Sequence, residues 1–191
     1  MSALPESTNL SVEQYLTAER QGDLRHEYVL GNVYAMAGAS ERHNIIASAL
    51  NHALYGQLLD RPCQVFQSDM RVRAATEIYF YPDIVVACDE LLYEDVKRDT
   101  LINPMVVFEV LSPSTEDYDK GRKFTAYRKI TSLRHYVLVS QSEIHVEHYA
   151  LHTDMGWVLN DLTSSDDVVS LDAIACAVKL ADIYRKVRFV E

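Results

Sequence analysis

Cysteine is scarce in this chain, three among 191 residues. Cys63, Cys88 and Cys176 lie far apart, form no CxxC and cannot all pair, which argues against a disulfide-framed scaffold; reduced, buried side chains are expected. Long apolar runs are also missing, since none reaches the roughly 20 residues that span a bilayer. The opening "MSALPESTNL" is polar and lacks the basic start and apolar core of a signal peptide, so a cytoplasmic protein without membrane contact is expected. No repeat, low-complexity tract or linker interrupts the chain. A single domain over 1–191 follows, with 1–10 as a candidate flexible lead-in. Positive charge is in deficit: Lys and Arg total 18 against 28 Asp and Glu, a net charge of -10. That balance disfavours general affinity for nucleic acid, although acids gathered at a cation site would count in the same sum.

What is present reads as an ordinary globular α/β composition, 48% hydrophobic and 24% charged. Ser11 and Gln14 have the spacing of a capping box, and Val12, Tyr15 and Leu16 continue it as a helix to about Arg20. "HEYVLGNVYAM" predicts an N-terminal β-hairpin turning at Gly31–Asn32. Over 40–59, Ile46, Ala49, Leu50, Ala53 and Leu54 form one apolar stripe, predicting the longest helix, laid against a sheet. "CQVFQSDMRVR" predicts one strand and "IYFYPDIVVAC" another, with Pro82 suited to a strand start or edge. "MVVFEVL" predicts a strand buried on both faces. "EDYDKGRKFTAYRKI" predicts a helix, "HYVLVS" and "EIHVEHYAL" strands, Gly156–Trp157 a turn, and 180–186 a last helix.

Glu109 lies inside the most apolar of these strands, where a lone carboxylate is costly. Asp83 follows Pro82 at the previous strand. If the two strands are neighbours, both acids can converge on a hard divalent cation, which needs only one or two carboxylates plus water and phosphate oxygens. Such an ion suits phosphodiester hydrolysis. A lysine that stabilises developing charge is expected beside it. Two positions after Glu109 stands Leu111, which cannot serve. On the following helix Lys123 is the first choice and Lys120 the second; Asp119, Lys123 and Tyr127 share one face at four-residue spacing.

"YPDIVV", "FEVLSPST", "YDKGRKFTAYRK" and "HYVLV" together resemble the Uma-type putative restriction endonuclease family, a branch of the PD-(D/E)XK nuclease superfamily. The resemblance runs over nearly the whole chain. It implies a restriction-endonuclease-like α/β (α+β) core, with a mixed central sheet flanked by helices, and a hydrolytic site at Asp83 and Glu109 holding Mg²⁺ or Mn²⁺. It also implies a catalytic lysine moved to Lys123, with DNA as substrate and a homodimer as a reasonable assembly. Glu27 in the hairpin, His43 or Glu41 near the start of the long helix, and Asp69 are further candidates.

Other assignments stand beside these. Glu109 could pair structurally with Arg71 or Arg73. Lys123 could be an ordinary solvated residue. His145, His148 and His152 invite a zinc reading, but alternation on a strand separates the first two, and an exposed strand is expected. Arg122, Lys123, Arg128, Lys129 and Arg134 form a basic run that could meet a nucleic-acid backbone. The function expected is a metal-dependent endonuclease. The alternatives are a non-catalytic nucleic-acid or protein interaction module on the same fold and a hydrolase of smaller phosphoesters.

Overall fold

The computed structural model of the chain describes residues 8–36, 38–112 and 116–189. Helix α1 (Val12–Glu19) starts at the expected capping box: Ser11 Oγ accepts from the Gln14 N–H at 3.2 Å, and Gln14 Oε1 accepts from the Ser11 N–H at 2.8 Å. Strands β1 (His26–Val29) and β2 (Asn32–Ala35) form the hairpin. Its turn falls one residue earlier than expected. Val29 pairs with Asn32, so the two-residue turn is Leu30–Gly31, at φ 50° and 88°. A turn of this length needs positive φ at both central residues, and glycine accepts it without steric cost. Of the lead-in expected to be flexible, 1–7 lie outside the described residues, while Leu10 donates its N–H to Gly31 at 3.1 Å.

Helix α2 (Glu41–Leu58) is capped by Ser40, whose Oγ accepts from the His43 N–H at 3.1 Å. Ile46, Leu50, Leu54 and Leu58 are buried at four-residue spacing, each side chain contributing about 1.5–3 kcal/mol by leaving water. Next come β3 (Cys63–Gln67) and β4 (Arg71–Ala75), two strands where one was expected. They belong to different sheets, and 68–70 carries the chain between them. The same happens between β5 (Ile78–Phe80) and β6 (Ile84–Cys88), with Pro82, which has no N–H to give a ladder, at the crossing. Strands β7 (Thr100–Leu101) and β8 (Val106–Leu111) follow.

The expected helix after β8 is segmented into α3 (Glu116–Tyr118), a π-helical turn over Asp119–Lys123 and α4 (Phe124–Tyr127). The segment Pro113, Ser114 and Thr115 of "EVLSPST" lies outside the described residues. Strands β9 (His135–Ser140), β10 (Val146–His152), β11 (Gly156–Leu162), β12 (Val168–Leu171) and β13 (Cys176–Lys179) lead to α5 (Leu180–Ile183). Gly156 and Trp157, expected in a turn, begin β11 and pair with β10.

The larger sheet has the order β11-β10-β9-β8-β6-β3, antiparallel except for β8–β9, which α3 and α4 connect as a parallel crossover. The smaller has the order β2-β1-β5-β4-β7, with β4–β7 parallel. A mixed sheet flanked by helices, with a hairpin ahead of it, is therefore the architecture, as the sequence implied. Alternation along β8 sends Val106, Phe108 and Val110 towards α2 and the β12–β13 hairpin, and Val107 and Leu111 towards α4 and the smaller sheet. Glu109 shares the parity of the second set.

One cysteine expectation is overturned. Cys63 and Cys88 are register partners across β3–β6 and form a disulfide. Their separation of 25 residues conceals an adjacency that only the strand register creates. Cys176 is free and buried, as expected.

Candidate active site

The register of β6 against β8 pairs Ile84 with Phe108 and Val85 with Val107. Carried one residue further, it sets Asp83 opposite Glu109, both on the face that carries Val85 and Val107. Asp83 is held from two directions: its Oδ2 accepts the Val110 N–H at 2.7 Å, and its Oδ1 lies 3.0 Å from His43 Nε2 in the first turn of α2. The acid thus has a fixed rotamer before any ligand arrives.

Glu109 is buried and meets the segmented helix. Lys123 Nζ lies 3.2 Å from Glu109 Oε1, and the Tyr127 hydroxyl lies 3.4 Å from the same oxygen. The π-helical turn keeps Asp119 and Lys123 on one side, 3.2 Å apart, and such turns recur at functional positions in helices. Glu27, on β1, reaches the same ammonium at 2.8 Å. Lys123 Nζ also stands 5.5 Å from the Phe80 ring centroid, a cation–π distance.

Burial is the main force on these groups. It pushes the Glu109 carboxyl well above its ordinary range; Lys123 opposes the rise, while Asp119, Asp83 and Glu27 add to it. Burial raises Glu27 likewise, against the pull of Lys123. For Lys123, burial alone would lower the pKa, but Glu109, Glu27 and Asp119 reverse that and hold it well above its usual value, so it is an ammonium. Four carboxylates therefore surround one lysine and one histidine. Neither oxygen of Glu27 has a hydrogen bond of good geometry, and Asp119 Oδ1 has none either.

These groups form the floor of an open cleft of about 1190 Å³. Ser40, Glu41, Arg42 and Asn44 from the start of α2 line one side of it, and Gln67, Ser68 and Asp69 another. Among the described residues no three His, Cys, Asp or Glu side chains form a closed metal cage. A hard cation with near-octahedral demands does not require one, since one or two carboxylates suffice when water fills the other positions. Asp83 and Glu109 offer oxygen donors at an open cleft, and the donor set fits Mg²⁺ or Mn²⁺.

The sequence candidates divide clearly. Asp83, Glu109, Lys123, Tyr127, His43 and Glu27 come together. Lys120 turns away, to Glu116 at 2.7 Å and Glu147 at 2.5 Å. Asp69 stays at the rim with Arg25 at 3.0 Å. Neither Arg71 nor Arg73 pairs with Glu109; they bind Asp99 and Glu94, at 3.1 Å each. Asp119 is the acid missing from the candidate set, although its four-residue spacing from Lys123 carried the signal. The basic run does not border the cleft as a unit. Arg134 donates its N–H to Met105 O, at the end of β8 away from Glu109, and only Lys123 of the run lines the cleft. The histidine strand is not exposed either: His148 is buried with its Nε2 3.0 Å from His135 Nδ1, while His145 binds Asp161. Burial lowers both His135 and His148 to about 4, which keeps the pair neutral.

A mixed sheet flanked by helices with an N-terminal hairpin ahead of it is the architecture of a restriction-endonuclease-like protein. A solved structure from Anabaena variabilis, titled as a putative nuclease belonging to DUF820, matches with a TM-score of 0.77 at 17% identity, covering 92% of this chain and 98% of that one. That likeness establishes the fold. The family model Uma2, described as "Putative restriction endonuclease", matches residues 12–181, and the chain belongs to that family. Two uncharacterized proteins of Synechocystis sp. are similar as well. One is 38% identical over 154 residues, 80% of this chain and 87% of that protein; the other is 35% identical over 182 residues, 94% of each. No helix among the described residues is long and apolar enough to cross a membrane.

Proposed function

We propose that the chain is an endonuclease that hydrolyses phosphodiester bonds in DNA with one Mg²⁺ or Mn²⁺ held by Asp83 and Glu109. The observation that carries this reading is that Asp83, which accepts the Val110 N–H next to Glu109 at 2.7 Å, and Glu109 both line the floor of an open cleft, with Lys123 Nζ 3.2 Å from Glu109. When bound, the ion supplies Lewis acidity at the phosphate and a lowered pKa for a coordinated water. The chain does the rest. His43 and the Val110 N–H orient Asp83 so that its remaining lone pairs face the cleft. Lys123 and Tyr127 fix Glu109, and the Lys123 ammonium is placed to stabilise charge that develops on the phosphate oxygens. The first turn of α2 lines the cleft, so the positive end of its dipole offsets part of the acid charge where a substrate phosphate enters.

Cleavage of assorted DNA forms with and without Mg²⁺, comparing the native chain with Asp83→Asn and Glu109→Gln, tests the assignment. Cleavage that requires the metal and disappears in both variants supports it; cleavage unchanged in both overturns it. Two observations favour a second reading, a non-catalytic nucleic-acid or protein interaction module: both Asp83 oxygens already have partners, and Leu111 stands where the superfamily usually has lysine. Failure of millimolar Mg²⁺ or Mn²⁺ to bind would favour that module.

A further inference from the structure

The cleft floor gathers four acids around a single lysine. Glu27, Asp83, Glu109 and Asp119 carry four negative charges when ionised. Lys123 supplies one positive charge, and its side chain is only 8% exposed. Its nitrogen is ringed by three carboxylate oxygens, Glu27 Oε1 at 2.8 Å, Glu109 Oε1 at 3.2 Å and Asp119 Oδ1 at 3.2 Å. The three acids come from three separate elements, β1, β8 and the π-helical turn. Glu27 is 1% exposed and lines the cleft, yet neither of its oxygens has a hydrogen bond of good geometry. Burying that carboxylate is expensive. The ammonium at the centre of the ring is the main offset among the described residues, with a looser backbone hydrogen bond from Tyr81 beside it.

We propose that Glu27, Glu109 and Asp119 form a second cation site, adjoining the Asp83–Glu109 site through the shared Glu109, that the Lys123 ammonium permanently fills, so that the cleft takes one divalent ion per chain. Occupancy sets the number. The ring that would seat a second ion already holds the ammonium at 2.8–3.2 Å from its three acids, and a divalent ion driven in beside it would set two cations against each other in a setting of low dielectric. The ring is sized for an ammonium: its oxygens stand wider than the 2.0–2.1 Å that Mg²⁺ demands, which agrees with the absence of a closed metal cage among the described residues. Removing both the charge and the bulk of Lys123 leaves three carboxylates free to close on a divalent ion. The count of one rests on the Asp83–Glu109 reading above; the identity of the Lys123 site does not.

The test counts Mn²⁺ per chain by titration, reading the spectroscopic signal of the free ion. The native chain should bind one. Lys123→Ala should bind one more than the native chain, and Lys123→Ala combined with Glu27→Gln should lose the extra ion. Lys123→Met, which removes the charge but fills the space, should bind no extra ion. If Lys123→Ala does not fold alone, Mn²⁺ should restore its native circular dichroism, because the ion replaces the missing ammonium; no restoration overturns the proposal. Equal counts in Lys123→Ala and the native chain also overturn it, as does a native count of two. A native count of zero with one ion in Lys123→Ala removes the Asp83–Glu109 metal reading and leaves the ammonium-filled site standing.

Discussion

Two buried charge networks lie within this chain, and they are built to opposite standards. Around Arg71 the partners are complete: its Nε donates to Thr100 at 2.9 Å, Nη1 to Tyr81 at 2.9 Å and Nη2 to Asp99 at 3.1 Å. The Tyr81 hydroxyl in turn donates to Glu19 at 3.0 Å, and Glu19 is closed by the His26 N–H and ring. Arg20 takes the other Asp99 oxygen, and with it holds Asp99 down at about 2. Around Lys123 the acids outnumber the cations, and three buried oxygens lack a hydrogen bond of good geometry. A saturated network stabilises a fold. The second gathers its acids around a single buried ammonium at the floor of a cleft, so the first network reads as scaffold and the second as site.

That contrast can be broken by substitution, and the largest effect should come from the acids. Asp83→Asn and Glu109→Gln should each lower Mg²⁺-dependent cleavage by about 10³-fold or more. Glu109→Gln should not lower the melting temperature. Its carboxyl has a raised pKa in the fold, so ionising it costs stability as pH rises above its unfolded value, and glutamine removes that cost. Arg71→Met should do the reverse, losing about 1–3 kcal/mol in urea unfolding, because the buried Thr100 and Tyr81 hydroxyls lose their donor while Asp99 keeps Arg20. If Arg71→Met stayed stable while cleavage vanished, the division into scaffold and site would be wrong.

The His135–His148 pair gives the next effect. Both titrate near 4 in the fold but near 6.5 when unfolded. As pH falls the unfolded chain takes protons first, so this contribution is flat above about pH 7, declines between about 6.5 and 4, and levels below. Roughly 3 kcal/mol per histidine should be lost across that window. Replacing both by glutamine should flatten the slope in thermal melts taken at each pH. Smaller still, Mg²⁺ at 100 times its dissociation constant should add about 2.7 kcal/mol to the native chain. Asp83→Asn should lose most of that gain, and Arg71→Lys should keep it.

Much of the site was legible because it follows local periodicities. Pro82–Asp83 lead directly into a strand and Glu109 sits on one, both predicted by their β-rich patterns, and Asp119, Lys123 and Tyr127 keep four-residue spacing even through a π-helical turn. What stayed hidden depends on contacts distant in sequence. The Cys63–Cys88 bond and the burial of His148 against His135 arise from strand register, which no local pattern sets. Two runs that looked like single strands each divide between two sheets, because alternation of residue type carries no mark of which sheet a strand will join. Lys120 and Lys123 looked nearly equivalent on a helix. Glu147 from β10 captures Lys120, while Glu27 from β1 draws Lys123 inward.

The central claim is that the carboxylates of residues 83 and 109 grip a shared ion. Anomalous diffraction from crystals soaked in Mn²⁺ measures this directly. The account predicts a peak within coordination distance of both side chains, absent from crystals of Asp83→Asn. A peak bound elsewhere, or no peak at saturating Mn²⁺, would contradict it.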